Sequence, residues 1–126
     1  MSVKVKSMKV LSLIGGKMGW KEKLRKDEYI NVGEFIVELS LDMECPCKDG
    51  EVYPAITVYD YKTECWYYID EDFPAVNNFR EAWEVAIKTL EEYINGKTPR
   101  LKRSPKKFAS DDVIERFIRA LKELKE

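Results

Sequence analysis

Apolar and polar side chains alternate along residues 34–44. Phe35, Val37, Leu39, Leu41 and Met43 fall on one side of an extended chain, and Glu34, Glu38, Ser40, Asp42 and Glu44 fall on the other; Ile36 alone breaks the polar side. Successive side chains of a strand point to opposite faces, so this pattern specifies a half-buried antiparallel strand. Such a strand needs neighbours in a sheet and something to cover its apolar face. Pro46 and Lys48-Asp49-Gly50 supply a turn, and residues 51–60 return as a second strand. A turn over 60–63 leads to a third strand at 64–70. With the turns centred on Lys48-Asp49 and on Tyr61-Lys62, Leu41 faces Ile56, Leu39 faces Val58, Ile56 faces Tyr67 and Pro54 faces Ile69. The outer face then carries Tyr53, Tyr59, Trp66 and Tyr68 beside Glu38 and Asp42.

The cover is a helix with defined ends. Asn78 stands where an N-cap is needed and Glu81 completes a capping box. Phe79, Ala82, Trp83, Ala86, Ile87, Leu90 and Ile94 recur at helical spacing and form one apolar face. Gly96 and Pro99 stop the helix. Ser110 and Asp111-Asp112 open a last helix with a stripe of Val113, Ile114, Phe117, Ile118, Leu121 and Leu124; its early acids and its late Lys122 and Lys125 suit the helix dipole. The expected fold is α+β: an antiparallel sheet of three to four strands packed on one helix, with a C-terminal helix after a basic connector. The chain divides into a core at 1–96, a connector at 97–109 and the last helix at 110–126.

Ahead of these elements, the β-branched and apolar residues of 3–14 read as a strand ending at Gly15-Gly16. Residues 17–27 fit a short helix or a basic loop, with Lys17, Lys21, Lys23, Arg25 and Lys26 against Glu22 and Asp27. Residues 10–16 behind Lys4, Lys6 and Lys9 loosely imitate a signal peptide but lack a small-x-small cleavage site, so a buried strand is the better reading. No apolar run reaches the length of a membrane span, and a cytoplasmic location with no membrane partner is expected. Gly15-Gly16-Lys17-Met18-Gly19 matches neither common phosphate-binding glycine motif and reads as a plain turn.

The chain has no histidine and no glutamine, while Lys, Arg, Asp and Glu make up 36% of it. Without imidazole there is no Ser-His-Asp or Cys-His catalysis and no His-dependent metal site. None of the many carboxylates is marked as a catalytic pair. No catalytic residue, enzyme activity, cofactor or metal is therefore expected. Cys45, Cys47 and Cys65 are too few for a disulfide framework. Cys45-Pro-Cys47 belongs to the first turn and Cys65 to the second, about 20 Å apart along the strands, beyond disulfide or shared-metal reach.

Two features point to partners. The four outer aromatics fit either a surface covered by the C-terminal helix or a second subunit, or a stacking platform for bases. The first is favoured, because the neighbouring acids repel phosphate. It makes Tyr53, Tyr59, Trp66, Tyr68, Phe117 and Leu121 the candidate interface of a homo-oligomer. The other feature is the segment KTPRLKRSPKK at 97–107, with six cations, no acid and two prolines. Thr98-Pro99-Arg100 and Ser104-Pro105-Lys106-Lys107 resemble the Ser/Thr-Pro-basic-basic units of linker-histone tails, with Leu101 where the first unit would carry its second cation. That resemblance implies contact with DNA through phosphates or an AT-rich minor groove. Lys97, Arg100, Lys102, Arg103, Lys106 and Lys107 are its candidate nucleic-acid ligands; the alternative is a solvated linker.

The order of three strands and a helix is similar to that of double-stranded RNA-binding domains, although the helix opening at Asn78-Phe79-Arg80-Glu81 lacks their lysine cluster. Asp72-Phe73-Pro74 ahead of an alanine-patterned helix resembles HicB-like antitoxins. The composition, rich in Lys and Glu and poor in amides, resembles that of heat-adapted proteins and implies a hyperthermophilic archaeon or one of its viruses. Together these readings give a non-enzymatic accessory or regulatory protein binding DNA or RNA through the connector. The alternative is an interaction or structural module acting as a homo-oligomer.

Overall fold

The computed structural model describes residues 19–42, 52–104 and 107–124. The expected strand at 3–14, most of the glycine turn after it, Cys45, Cys47 and Lys106 lie outside the described residues.

α1 (Trp20–Asp27) opens the described chain. Trp20 and Leu24, one turn apart, are both buried, which decides between helix and loop for this basic stretch. Glu28 ends α1 in the left-handed region at φ 67°, donating its N–H to the Leu24 carbonyl. β1 (Tyr29–Val32) and β2 (Phe35–Asp42) form a hairpin around Gly33-Glu34, with Val32 opposite Phe35. Then follow β3 (Tyr53–Asp60), β4 (Cys65–Ile69), α2 (Phe79–Ile94), β5 (Leu101–Ser104), β6 (Lys107–Phe108) and α3 (Asp111–Lys122). Asn78 caps α2 by accepting from Glu81 N–H, and Glu81 reaches back to Asn77 N–H. Ser110 caps α3 through Val113 N–H at 3.4 Å.

All six strands belong to one antiparallel sheet in the order β1-β2-β3-β4-β5-β6. The sheet is larger than the three to four strands expected, because β1, β5 and β6 were not anticipated. In the second hairpin Leu39 faces Ile56 and Val37 faces Val58; in the third, Val58 faces Tyr67. Each pairing is two residues from the expected register. A two-residue slip keeps every side chain on its face. The inner and outer faces are therefore as the alternation predicts.

The inner face carries Ile30, Val32, Phe35, Val37, Leu39, Ile56, Val58, Tyr67, Ile69 and Leu101, all buried in one cluster with residues of all three helices. The cover is thus three helices and not one. α2 lies over β2 and β3, and α1 packs beside it, tied by Lys21–Glu91 at 2.6 Å and Arg25–Glu84 at 3.0 Å.

α3 crosses one end of the sheet on the same side. Arg116 meets Asp60 at the end of β3, Phe117 packs edge-on against Phe35 of β2 at 5.2 Å, and Ala120 lies against Gly33. Val113, Phe117 and Leu121 are buried within the chain. Each apolar side chain of that size stabilises by about 1.5–3 kcal/mol when fully buried. This corrects two expectations. Phe117 and Leu121 belong to the core and not to a contact between subunits, and α3 does not cover the outer aromatic face. The stripe of α3 is satisfied on the inner side, where α2 and β1 leave room beside them.

Candidate functional site

The outer face of the sheet has no helix over it among the described residues. Paired residues share a face, so the register can be followed across the strands. One row runs Tyr29, Glu38, Thr57, Tyr68, Lys102, Phe108 from β1 to β6. The next runs Asn31, Ile36, Tyr59, Trp66. Trp66 is 55% exposed, Phe108 52% and Tyr68 41%. The Tyr59 ring holds Trp66 from one side at 4.8 Å and meets Tyr61 edge-on at 4.9 Å. Tyr53, also on this face at the far end of β3, is half-buried. Large aromatics left in water forgo their burial energy, which makes this face the candidate site.

The five connector cations among the described residues do not form one patch. Lys97 lies beyond the C-terminal end of α2, paired with Glu71 at 3.2 Å and Glu92 at 3.8 Å. Arg100 and Lys102 reach the outer face. The Arg100 guanidinium sits 5.1 Å from the Phe108 ring centre while bonding Asp70 at 3.1 Å, and Lys102 Nζ sits 5.6 Å from the same ring. Arg103 and Lys107 instead line a cleft of about 330 Å³ with Cys65, Tyr67 and Val113 on the helix side, and Phe108 at the sheet's edge borders it as well. Neighbouring residues of β5 point to opposite faces, which parts Arg103 from Lys102; Lys107 stands next to Phe108 in β6, past the register shift between Lys102 and Ser104.

Residues 97–104 do not form the solvated linker that is the alternative reading of the connector. Pro99 and Leu101 are buried, Arg100 O accepts from Asp70 N–H at 2.8 Å, and Leu101 O accepts from Ala109 N–H at 2.8 Å. The apolar alternation Pro99, Leu101 is the sequence signal for a strand here, and the surrounding lysines and arginines hide it.

Two further features were not legible in the sequence. Asp60 is fully buried and its carboxylate accepts from Arg116 Nη2 at 2.7 Å, Arg116 Nη1 at 3.1 Å, Thr63 Oγ1 at 2.7 Å and Lys62 N–H at 3.0 Å. Burial pushes its pKa up, but the Arg116 pair and the other two donors outweigh that and hold it below its ordinary value. Arg116 is raised, chiefly by the hydrogen bond from its guanidinium to Asp60. Every partner is internal, so this is a clasp holding α3 to β3. A second cleft, of about 430 Å³, lies between the 71–74 segment and α2, with Glu71, Asp72, Lys88 and Lys97 among its walls. Its charges are of both signs, and Glu71 is occupied by Lys97 and by the Tyr93 hydroxyl at 2.7 Å. Among the described residues no group of Cys, Asp and Glu could hold a metal ion, and no helix is long and apolar enough to cross a membrane.

Comparison of the sequence and fold with protein-family models, curated proteins and solved structures gives no match.

Proposed function

We propose that this chain is a non-enzymatic accessory protein that binds single-stranded nucleic acid on the outer face of its sheet. Trp66, Tyr68 and Phe108 are the stacking surfaces, and Arg100 and Lys102 meet the phosphates. One observation carries the reading: exposed rings and cations alternate across β4, β5 and β6 on a face without helical cover among the described residues. Bases stack on aromatic side chains whatever their identity, while neighbouring cations track the backbone. A single strand offers its base faces to such a surface and a duplex does not. The site is therefore moved from the connector as a tail to the face that part of the connector completes.

The test is fluorescence anisotropy with labelled single-stranded oligonucleotides of about twelve nucleotides, a length within the range such platforms occupy. Replacing Trp66, Tyr68 and Phe108 together by Ala should weaken binding at least about tenfold, since each stacked base contributes roughly 1–3 kcal/mol. Replacing Arg100 and Lys102 by Ser should weaken it and flatten its salt dependence. Lys97→Ser, beyond the C-terminal end of α2 and paired with Glu71 and Glu92, should do neither. Equal affinity of the wild type for single strands and duplex would contradict the reading.

A second use of the face is favoured by its charge layout. Glu38 stands toward one edge, and Arg100 and Lys102 stand toward the other, so two copies packed face to face and antiparallel would pair opposite charges. In that case sedimentation would show a dimer that the triple aromatic variant dissolves, and oligonucleotides would compete with dimerisation.

A further inference from the structure

We infer that the outer face reads the pairing edge of one stacked base, with Glu38 selecting cytosine over uracil or thymine. The inference rests on the single-strand reading above and adds a base preference to it. Its basis is the order of side chains along one row of the sheet. Glu38, Thr57, Tyr68 and Lys102 occupy β2, β3, β4 and β5 as direct cross-strand neighbours. Strands lie about 4.8 Å apart, so the carboxylate and the ammonium anchor points are about 14 Å apart with a ring and a hydroxyl between them.

A nucleotide laid on the Tyr68 ring has one orientation that satisfies both ends. Its phosphate turns to Lys102 and Arg100, and its base edge turns toward Thr57 and Glu38. The reverse orientation puts phosphate against the Glu38 carboxylate. Glu38 is exposed and forms no ion pair among the described residues, so its carboxylate is available to a ligand. An ionised carboxylate only accepts hydrogen bonds. Cytosine meets it with the N4 amino donor, the pairing known for acidic side chains and cytosine. Uracil and thymine place the O4 carbonyl at that position, and two acceptors facing each other repel. The Thr57 hydroxyl donates to the Glu38 backbone carbonyl at 3.5 Å and can rotate to donate or accept, so it does not discriminate. The acid that argues against phosphate at this end of the row thus acquires a role as the reader of the base edge.

Cytosine and uracil are of one size and stack similarly, so the comparison isolates position 4 of the ring. Oligocytidylate and oligouridylate of about twelve nucleotides, and their deoxy counterparts, would be titrated into the wild type and into Glu38→Gln. The wild type should bind the cytosine strand about fivefold or more tighter than the uracil or thymine strand, within the range of one base contact. Glu38→Gln, whose amide both donates and accepts, should bring the two within about twofold without weakening the uracil strand. Equal wild-type affinities, or a preference that survives Glu38→Gln, would overturn the inference and leave the stacking platform standing. Equal weakening of both strands by Glu38→Gln would also overturn it, by making Glu38 a structural residue. Failure of every strand to bind would remove the platform itself, and the base preference with it.

Discussion

Asp60 ends β3 with no exposure to water, and its charge is tolerable only because Arg116 forks onto both carboxylate oxygens while Thr63 and the Lys62 N–H fill the remaining acceptor sites. Removing one member of a buried pair leaves the other charge uncompensated, at a cost of about 3–5 kcal/mol. Arg116→Met should therefore destabilise by about that much in urea titrations. Adding Asp60→Asn should recover part of the loss, because the two sites are coupled. The sign of the acid response follows from the lowered pKa of Asp60. The stabilisation is complete above the ordinary carboxyl value of 3.8 and is lost as pH falls through the lower folded value. The wild type should thus lose urea resistance more steeply below about pH 4 than Asp60→Asn does. Parallel curves would show that other carboxylates set the acid limit.

At the scale of elements, α3 is a strap whose fit depends on the β1–β2 turn. Gly33 has φ 59°, the left-handed region that the first position of a tight hairpin turn can require. A Cβ there would come within 2.8 Å of the Ala120 Cβ. Gly33→Ala should then destabilise by more than about 1 kcal/mol, through backbone strain and the clash together. Adding Ala120→Gly should relieve only the clash, so thermal melts of Gly33→Ala, the double variant and Ala120→Gly alone, which supplies the helix-propensity cost, separate the two contributions. Full recovery by Ala120→Gly would show that the turn carries no backbone strain. The longer elements were legible in the sequence because periodicity needs length to show itself. The outer and inner residues of β2, β3 and β4 and the caps of α2 and α3 follow the alternation and cap chemistry. β1 and β5 have four residues each and β6 has two. In β1 only Ile30 and Val32 alternate, and in β5 only Leu101 stands among cations. The destination of α3 was hidden for another reason: an apolar stripe says that a helix is covered, not which surface covers it.

On the scale of the molecule, the three helices and six strands among the described residues make a sheet with one face covered by helices and the other without helical cover. The helix side is closed by apolar packing, by the α1–α2 ion pairs and by the Asp60–Arg116 clasp. The other side presents Trp66, Tyr68 and Phe108 with Arg100 and Lys102 between and beside them. The candidate site was half visible before the fold was known. The aromatics and the basic segment could each be named, but alternate residues of β5 part company across the sheet, and only the register shows which cations join the rings. On the reading proposed above, single-stranded nucleic acid binds this face. Amide-resolved NMR titration of the labelled protein with an unlabelled single strand tests it most directly. Shifts should concentrate on Thr57, Trp66, Tyr68, Lys102 and Phe108, with the Trp66 indole N–H among the largest. Shifts centred on Arg103, Lys107 and the start of α3, or none at any strand concentration, would contradict it.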